Sequence, residues 1–233
     1  MIKKNSALKE KKGEEIQKMF SSIAPYYDFL NHFFSFHFDK VWRKNGVKNF
    51  SPKKGEIFLD LCCGTGDFGK ELKKMEEVKI VGLDFSLDML KIAKKKDNEI
   101  FLVNGDALLM PFKDETFDGC LVAFGIRNFE NLEKGIFEAA RVLKKGGLFV
   151  VLEFPHKVKG FFSPIFNFYF KFVLPIIGKV VSKNDYAYRY LPQSTQSFLE
   201  DEKLIEIFKK CDLELIKIKK RTFGIVNEIV LKK

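Results

Sequence analysis

The chain has 233 residues, of which 46% are apolar and 31% charged, a composition typical of a globular protein with a substantial core. The first 12 residues carry five lysines and no apolar run of signal-peptide length, so we expect a cytoplasmic protein rather than an exported one. Residues 157–233 hold 15 basic and 8 acidic side chains, which is +7 of the total charge of +10. This asymmetry suggests an anionic partner surface, or a general use of lysine for solubility.

The cysteines do not form a recognisable redox or metal pattern. Cys62, Cys63, Cys120 and Cys211 include no C-x-x-C pair and no ligand spacing with the three histidines, so we predict no metal site. Neighbouring cysteines rarely bridge each other, because the planar trans peptide holds their sulfurs poorly for a disulfide. We expect Cys62 and Cys63 to be reduced side chains at the end of a buried strand.

Residues 14–50 have the pattern of helices. The segments are EEIQKMF, a turn at Ala24 and Pro25, then YYDFLNHFFSF and DKVWRKNGV. We expect them to form a helical cap over the rest of the molecule.

Residues 56–154 alternate short apolar runs with helical patterns, as in parallel βαβ units. The five runs are EIFLDL, VKIVGLDF, EIFLVNGD, FDGCLVAF and GGLFVVLEF. Ser86 is a predicted helix N-cap, and Gly146 with Gly147 is predicted to end the helix that begins near Asn131. The pattern predicts an α/β fold with a doubly wound sheet.

The last third of the chain adds a hydrophobic helix over about residues 164–181, a charged helix EDEKLIEIFKKC, and two strand-like runs. The runs LELIKIKK and GIVNEIVL are predicted to pair as a hairpin or to lie at the edge of the same sheet. No linker is visible, so we expect one domain over residues 1–233. Its parts are a cap (14–50), a core (56–154), a lid (160–200) and a C-terminal helix with strands (201–233).

A glycine loop follows the first predicted strand, and its neighbours indicate what it binds. Asp60, Gly64 and Gly66 form D-x-x-x-G-x-G, and Asp84 ends the next strand 18 residues after Gly66. An acid after the second strand suits ribose hydroxyls in both nicotinamide and S-adenosylmethionine folds. The Asp60 carboxylate favours a ligand with an ammonium group over one with a pyrophosphate. Gly69, the third glycine of a literal G-x-G-x-x-G, is expected to lie inside the helix and serve packing.

A third acid, Asp106, ends the third strand, where it can accept a hydrogen bond from the adenine amine. Asp84 and Asp106 could each merely cap a helix, since Asp is a good N-cap. Their occurrence together at successive strand ends favours a class I S-adenosylmethionine-dependent methyltransferase, because ligands of open α/β sheets bind there.

Three segments, IAPYYDFLN, FGIRN and YRYLPQS, are diagnostic in combination. Through them the chain resembles the ubiquinone/menaquinone biosynthesis C-methyltransferase family over almost its whole length. The resemblance implies a Rossmann-like seven-stranded sheet and cofactor contacts at Thr65, Asp84, Asp106 and Ala107. A further family contact falls at Ala123, where alanine leaves only the backbone. Departures from the family pattern, which suggest a different packing of the C-terminal end, are Pro155, Phe223 and Ile229.

The resemblance implies methyl transfer to a ring carbon of a polyprenylated hydroquinone, either demethylmenaquinol or a methoxy-polyprenyl-benzoquinol. Such a carbon becomes nucleophilic when a neighbouring ring hydroxyl ionises, and a fixed cation favours that ionisation. Arg127 is our first candidate for this role and Tyr27 the second, with Asp106 as a water-linked base. The alternatives are a salt bridge for Arg127 and core packing for Tyr27.

The segment at residues 160–181 holds six phenylalanines but is interrupted by Pro164, Asn167, Lys171 and Pro175. We interpret it as a lid that encloses the substrate and dips into an anionic bilayer, so that the protein is peripheral on the inner face of the cell membrane. The alternative is an ordinary core helix. A homodimer is a further expectation from general frequency.

Three other functions compete. The first is a methyltransferase for another small phenolic or lipid substrate. The second is a nucleic-acid methyltransferase, but AFGIRNF stands where such enzymes carry an N/D-P-P-Y/F or Pro-Cys motif, and Cys120 lies within a strand. We therefore expect no nucleic-acid partner. The third is a regulator that binds the cofactor without turnover.

Overall fold

A computed structural model of the chain describes residues 2–158, 163–173, 176 and 185–233. In chain order, the helices are α1 Ile2–Phe34, α2 Phe38–Val47, α3 Asp67–Lys73, α4 Leu87–Lys96, α5 Leu132–Val142, α6 Ser163–Phe168, α7 Asp185–Gln196 and α8 Asp201–Lys210. The strands are β1 Ile57–Leu61, β2 Lys79–Asp84, β3 Phe101–Asn104, β4 Phe117–Ala123, β5 Leu143–Glu153, β6 Glu214–Arg221 and β7 Val226–Lys232. Short 3-10 turns lie at Ile126–Asn128 and Thr222–Gly224, and a π-helical turn at Tyr169–Val173.

The strands form one seven-stranded sheet in the order β3-β2-β1-β4-β5-β7-β6. The first five are parallel, and β7 runs antiparallel to both of its neighbours. The doubly wound α/β prediction is confirmed. The two last runs satisfy both predicted arrangements, since they pair with each other and β7 also extends the main sheet.

Both faces of the sheet are covered. Side chains such as Leu59 and Leu61 of β1 join a core cluster with α5 and α8, and Phe58 points into a second cluster with α2 and α3. Strands buried on two faces have apolar residues at nearly every position, which explains the continuous apolar runs in the sequence.

The predicted turn at Ala24 and Pro25 is wrong. Helix α1 continues through Pro25, although proline removes one helical hydrogen bond. Ile23 and Ala24 before the proline and Leu30 after it are all buried in one cluster with Met89 of α4. Packing along the whole helix therefore offsets the cost of the proline.

The predicted role of Gly146 and Gly147 is also wrong, because α5 ends at Val142 and β5 begins at once with Leu143. The two glycines lie in an irregularity of β5, where the β4–β5 register shifts between Phe117 and Gly119. Gly146 has φ +79°, a conformation that glycine adopts without strain. The Ser86 cap is confirmed, since its Oγ accepts a hydrogen bond from the Met89 N–H.

Gly69 lies inside α3 as expected, and a Cβ there would lie 2.6 Å from Ile80 Cγ2 and 3.0 Å from Asp60 Oδ2. All four cysteines are free, and burial raises the pKa of the Cys62 and Cys63 thiols well above the usual range. Within the described part of the chain, no group of three His, Cys, Asp or Glu side chains could hold a metal ion.

The predicted helix at 164–181 is helical where it is described, as α6 and the π-helical turn. Residues 174–175 and 177–181 of that prediction lie outside the described residues. Among the helices that are described, none is both long and apolar enough to cross a bilayer.

Candidate active site

Two cavities lie at the carboxyl ends of the parallel strands and meet at Phe20, Tyr27 and Phe124, which line both. The polar cavity has a volume of about 570 Å³, and its wall includes Gln17, Gly64, Asp84, Asp106, Ala107 and Asn128. The aromatic cavity has a volume of about 230 Å³, and its wall includes Arg43, Trp42, Arg127, Phe154, Phe170 and Tyr190. A ligand in one cavity therefore borders a ligand in the other at Tyr27.

The glycine loop is held by Asp84. The Gly64 N–H donates to Asp84 Oδ2 over 2.9 Å, and the Ser86 N–H donates to Asp84 Oδ1 over 2.9 Å. Gly64 has φ +53° and Gly66 has φ +81°, so both need the conformational freedom of glycine. Burial raises the pKa of Asp84, and the backbone hydrogen bonds partly offset that effect. Each carboxylate oxygen keeps a further lone pair for ribose hydroxyls.

Asp60 lies beneath the loop rather than in the cavity wall. Its Oδ2 accepts a hydrogen bond of 2.8 Å from the Gly69 N–H at the start of α3. Only 2% of the residue is exposed, and burial raises its pKa to about 7. Its predicted contact with the cofactor stays a prediction.

Thr65 is buried, and its hydroxyl connects the glycine loop to helices α1 and α4. It donates to Asp28 Oδ1 of α1 over 2.5 Å, and Lys96 Nζ of α4 lies 2.8 Å from Asp28 Oδ2 and 3.1 Å from Thr65 Oγ1. Thr65 and Gly66 do not line the polar cavity. Their placement indicates that this part of the loop anchors α1, and any cofactor contact by them stays a prediction.

Asp106 and Ala107 both line the polar cavity after β3. Asp106 is exposed, and its Oδ1 accepts a hydrogen bond of 2.8 Å from the Leu108 N–H. Asp106 can therefore hold this turn and still accept a hydrogen bond from a ligand. Ala123, the position of the further family contact, also lines this cavity.

Arg127 forms a salt bridge, which was the alternative to a catalytic role, and it also lines the aromatic cavity. Its Nη1 lies 2.9 Å from Glu153 Oε1 at the end of β5, and also donates to the Phe124 carbonyl oxygen. Its Cζ lies 5.6 Å from the ring centroid of Phe154. Its buried Nε has no hydrogen-bond partner among the described residues. A buried cation with unused donors is suited to an oxyanion.

Tyr27 lies where the cavities meet, and its ring packs edge-to-face on Phe20 at a centroid distance of 6.1 Å. Burial raises the pKa of Tyr27, while Arg43 and Arg127 act in the opposite direction. Its hydroxyl is therefore protonated at neutral pH and can donate a hydrogen bond.

Sequence reasoning missed several residues that the fold brings to the site. From α1, Gly13, Glu14 and Gln17 line the polar cavity, and the Gln17 side chain donates to the Phe85 carbonyl oxygen over 2.5 Å. From α2, Asp39 and Arg43 line the aromatic cavity. Asp39 and Arg43 are four residues apart in α2, which is the spacing of a helical ion pair, and this was the available signal for them.

The sheet order with β7 inserted antiparallel, together with a glycine loop and acids at successive strand ends, defines a Rossmann-like S-adenosylmethionine-dependent methyltransferase. A solved methyltransferase from Thermotoga maritima, described as a possible histamine N-methyltransferase, has this fold. It superimposes with a TM-score of 0.66 at 22% identity, covering 93% of this chain and 99% of that one.

The chain belongs to the ubiE/COQ5 methyltransferase family, whose model matches residues 6–232. A demethylmenaquinone methyltransferase of Deinococcus radiodurans is 41% identical, over 94% of this chain and 92% of its own length. One from Staphylococcus haemolyticus is 39% identical, over 92% of each. The resemblance inferred from the sequence is confirmed.

The polar cavity fits S-adenosylmethionine. Asp84 has acceptor capacity left for hydroxyl groups, Asp106 and Ala107 line the same cavity, and the 570 Å³ volume suits a ligand of nucleoside size.

We predict that Asp84→Asn weakens S-adenosylmethionine binding by about 10- to 100-fold, since hydrogen bonds to a charged acceptor contribute roughly 1.5–3 kcal/mol. The amide also replaces one acceptor of the loop N–H groups by a donor. Isothermal titration calorimetry measures the affinity, and Asp88→Asn, at a half-exposed aspartate on α4 paired with Lys91, serves as the control. A folded Asp84→Asn protein with wild-type affinity would contradict the assignment.

Proposed function

We propose that this protein transfers a methyl group from S-adenosylmethionine to a ring carbon of demethylmenaquinol. The names of the relatives support this substrate class. The observation that carries the proposal is the aromatic cavity, which places Arg127 among aromatic side chains and borders the polar cavity at Tyr27. An aromatic ring with a hydroxyl group matches that lining better than an amine does, because the Arg43 and Arg127 guanidiniums repel a cation.

When bound, S-adenosylmethionine supplies an electrophilic methyl group on a sulfonium. The reaction then requires the following bond and proton changes. A ring hydroxyl loses its proton, the adjacent ring carbon forms a bond to the methyl as the sulfur–carbon bond breaks, and the proton displaced from that carbon returns to the oxygen. One proton is released overall.

Arg127 supplies the positive charge that favours ionisation of the ring hydroxyl. A phenol with a pKa of about 10 is mostly protonated at pH 7, so ionisation needs a nearby positive charge. The Arg127 guanidinium is permanently charged, and Glu153 and the Phe124 carbonyl oxygen fix its position. Its remaining N–H groups donate to the developing phenolate or hold a water that takes the proton.

Tyr27 aligns the reacting groups. The Tyr27 side chain lines both cavities, and in this proposal its protonated hydroxyl donates to the ring oxygen beside the carbon to be methylated. The side chains of α1 on the two cavity walls exclude water from this point. The released proton passes to the water at Arg127 and from there to solvent.

The polyprenyl tail implies that the protein makes peripheral contact with a membrane. Exposed apolar side chains lie at the corner between α1 and α2, beside the aromatic cavity: Phe29, Phe33, Phe36, Phe38 and Val41. Lys40, Lys44 and Lys48 are exposed on the same segment, and its one carboxylate, Asp39, is buried. We call these eight residues the docking face. Apolar side chains among lysines are suited to an anionic bilayer.

The docking face continues into the predicted lid. The Tyr169 hydroxyl donates to the Phe34 carbonyl oxygen over 3.0 Å, and the Tyr169 ring lies 6.0 Å from that of Phe36. Phe36 is 72% exposed and also lines the aromatic cavity. A prenyl chain can therefore pass from the lipid to the ring-binding cavity without crossing water.

We predict that the purified protein methylates demethylmenaquinol, and that Arg127→Ala lowers kcat by roughly 100- to 1000-fold, the usual effect of losing one oxyanion donor. S-adenosylmethionine affinity is expected to stay within about 3-fold, because Arg127 lines only the aromatic cavity. Mass spectrometry of the product from a trideuteromethyl-labelled cofactor measures turnover.

Arg141→Lys is the control, since Arg141 pairs with Glu138 and Asp114 and lines neither cavity. A methoxy-polyprenyl-benzoquinol is assayed in parallel, and faster methylation of that ring would overturn the choice of naphthoquinol. Unchanged kcat in a folded Arg127→Ala protein would overturn the role of Arg127.

We predict that the protein co-sediments with phosphatidylglycerol vesicles at low salt and less at 1 M salt. Replacing the stacked, exposed pair by Phe29→Ser and Phe33→Ser is expected to lower the partition constant about 10-fold or more, since each buried aromatic contributes roughly 1.5–3 kcal/mol. The matched control is Phe101→Ser, which is 64% exposed on β3. Absence of wild-type binding at low salt would contradict the contact.

A further inference from the structure

A second arginine, Arg43 of α2, lies in the wall of the aromatic cavity. Its Nη1 donates to Asp39 Oδ2 over 2.6 Å, and only 8% of its side chain is exposed. Asp39 is held in turn by Ser35, whose hydroxyl donates to Oδ1 over 2.8 Å, and by His32, whose Nδ1 lies 2.8 Å from Oδ2. These partners lower the pKa of Asp39 despite its burial. The carboxylate is therefore charged and fixes the position of the guanidinium.

Most of the donors of Arg43 are unused. Its Nε and Nη2 make no hydrogen bond to any residue of the described chain, although the side chain is more than nine-tenths buried. Neither nitrogen is a fully buried atom without a partner, so both keep some accessible surface. Because Arg43 lines the aromatic cavity, a ligand in that cavity is the acceptor within reach.

Arg43 and Arg127 are arranged around one pair of aromatic rings. Phe124 and Phe154 are stacked with centroids 4.8 Å apart. The Arg43 Cζ lies 5.9 Å from the Phe124 centroid, and the Arg127 Cζ lies 5.6 Å from the Phe154 centroid. Each ring of the stack thus carries one guanidinium, and each guanidinium is held by its own buried carboxylate. Burial raises the pKa of Tyr27, and Arg43 and Arg127 both oppose that rise.

Two fixed cations in the wall of one cavity match a ring that carries two oxygens. We propose that Arg43 is a substrate-binding residue that donates its free N–H groups to the second ring oxygen of the 1,4-diol, while Arg127 faces the oxygen beside the carbon to be methylated. The proposal rests on the proposed function, and it assigns the orientation of the substrate ring in the aromatic cavity. With both oxygens held, the ring has one orientation, and a single carbon faces the polar cavity.

A purely structural role for Arg43 makes a different prediction. If Arg43 only joined α2 to the sheet, its replacement would impair all substrates alike. If it binds the second oxygen, its replacement would impair only substrates that have that oxygen. The test therefore compares a prenylated 1,4-naphthalenediol with 3-prenyl-1-naphthol, which keeps the hydroxyl beside the reacting carbon and lacks the other.

The variant is Arg43→Lys, which keeps the charge opposite Asp39 but loses the planar fork of donors. On the diol, we expect kcat/KM to fall by about 10-fold or more, as for loss of one hydrogen bond to a charged group. On the mono-ol, wild type and variant are expected to agree within about 3-fold. Arg141→Lys is the control and should match wild type on both substrates.

Equal losses on both substrates, or no loss on the diol, would overturn the proposal. If Arg43→Lys does not fold, the wild-type protein supplies the test alone: fluorescence titration is expected to give at least 10-fold tighter binding of the diol than of the mono-ol, and equal binding would overturn the proposal. A wild-type protein that methylates neither compound would instead count against the proposed function, so the two failures are distinct.

Discussion

Arg127 and Glu153 form an ion pair at the carboxyl ends of β4 and β5, where less than a tenth of either side chain is exposed. A pair in this position is costly to desolvate, and breaking such a pair typically costs about 3–5 kcal/mol. Burial raises the pKa of Glu153, and the neighbouring guanidinium holds that rise in check. The fold therefore keeps a permanent positive charge inside an aromatic wall, and the chemistry proposed above depends on that charge.

The parallel strands determine where the Arg127 guanidinium lies relative to the polar cavity. The glycine loop after β1, Asp84 at the end of β2 and Arg127 after β4 lie at one edge of the sheet because their strands are neighbours with matched register. Helix α1 closes that edge, anchored through Asp28 to Thr65 and Lys96. The same helix supplies Tyr27 at the junction of the cavities. One element thus covers the polar cavity and separates it from the aromatic one.

The sequence was sufficient for the sheet and for Gly64, Asp84, Asp106 and Ala107 in the wall of the polar cavity, because strand ends and glycine turns carry strong local signals. It failed at Pro25, where burial on both sides of the proline overrides a local preference. It failed again at Gly146, where a strand irregularity rather than a helix end uses the glycine. The spacing of Asp39 and Arg43 suggests an ion pair, but their place in the cavity wall was not predictable, since it depends on how α2 packs against Phe124. Asp60 and Thr65 were found by motif, but only the structure places their side chains under the loop and against α1.

The central claim is that the aromatic cavity stabilises a phenolate. Its most direct test is the pKa of a bound phenol, measured by absorbance titration of 1-naphthol in complex with the protein and S-adenosylhomocysteine, a pair that cannot react. The account predicts a bound pKa at least one unit below that of free 1-naphthol, which corresponds to about 1.4 kcal/mol of preference for the anion. A bound pKa equal to or above the free value would contradict it, because burial alone raises the pKa of a phenol.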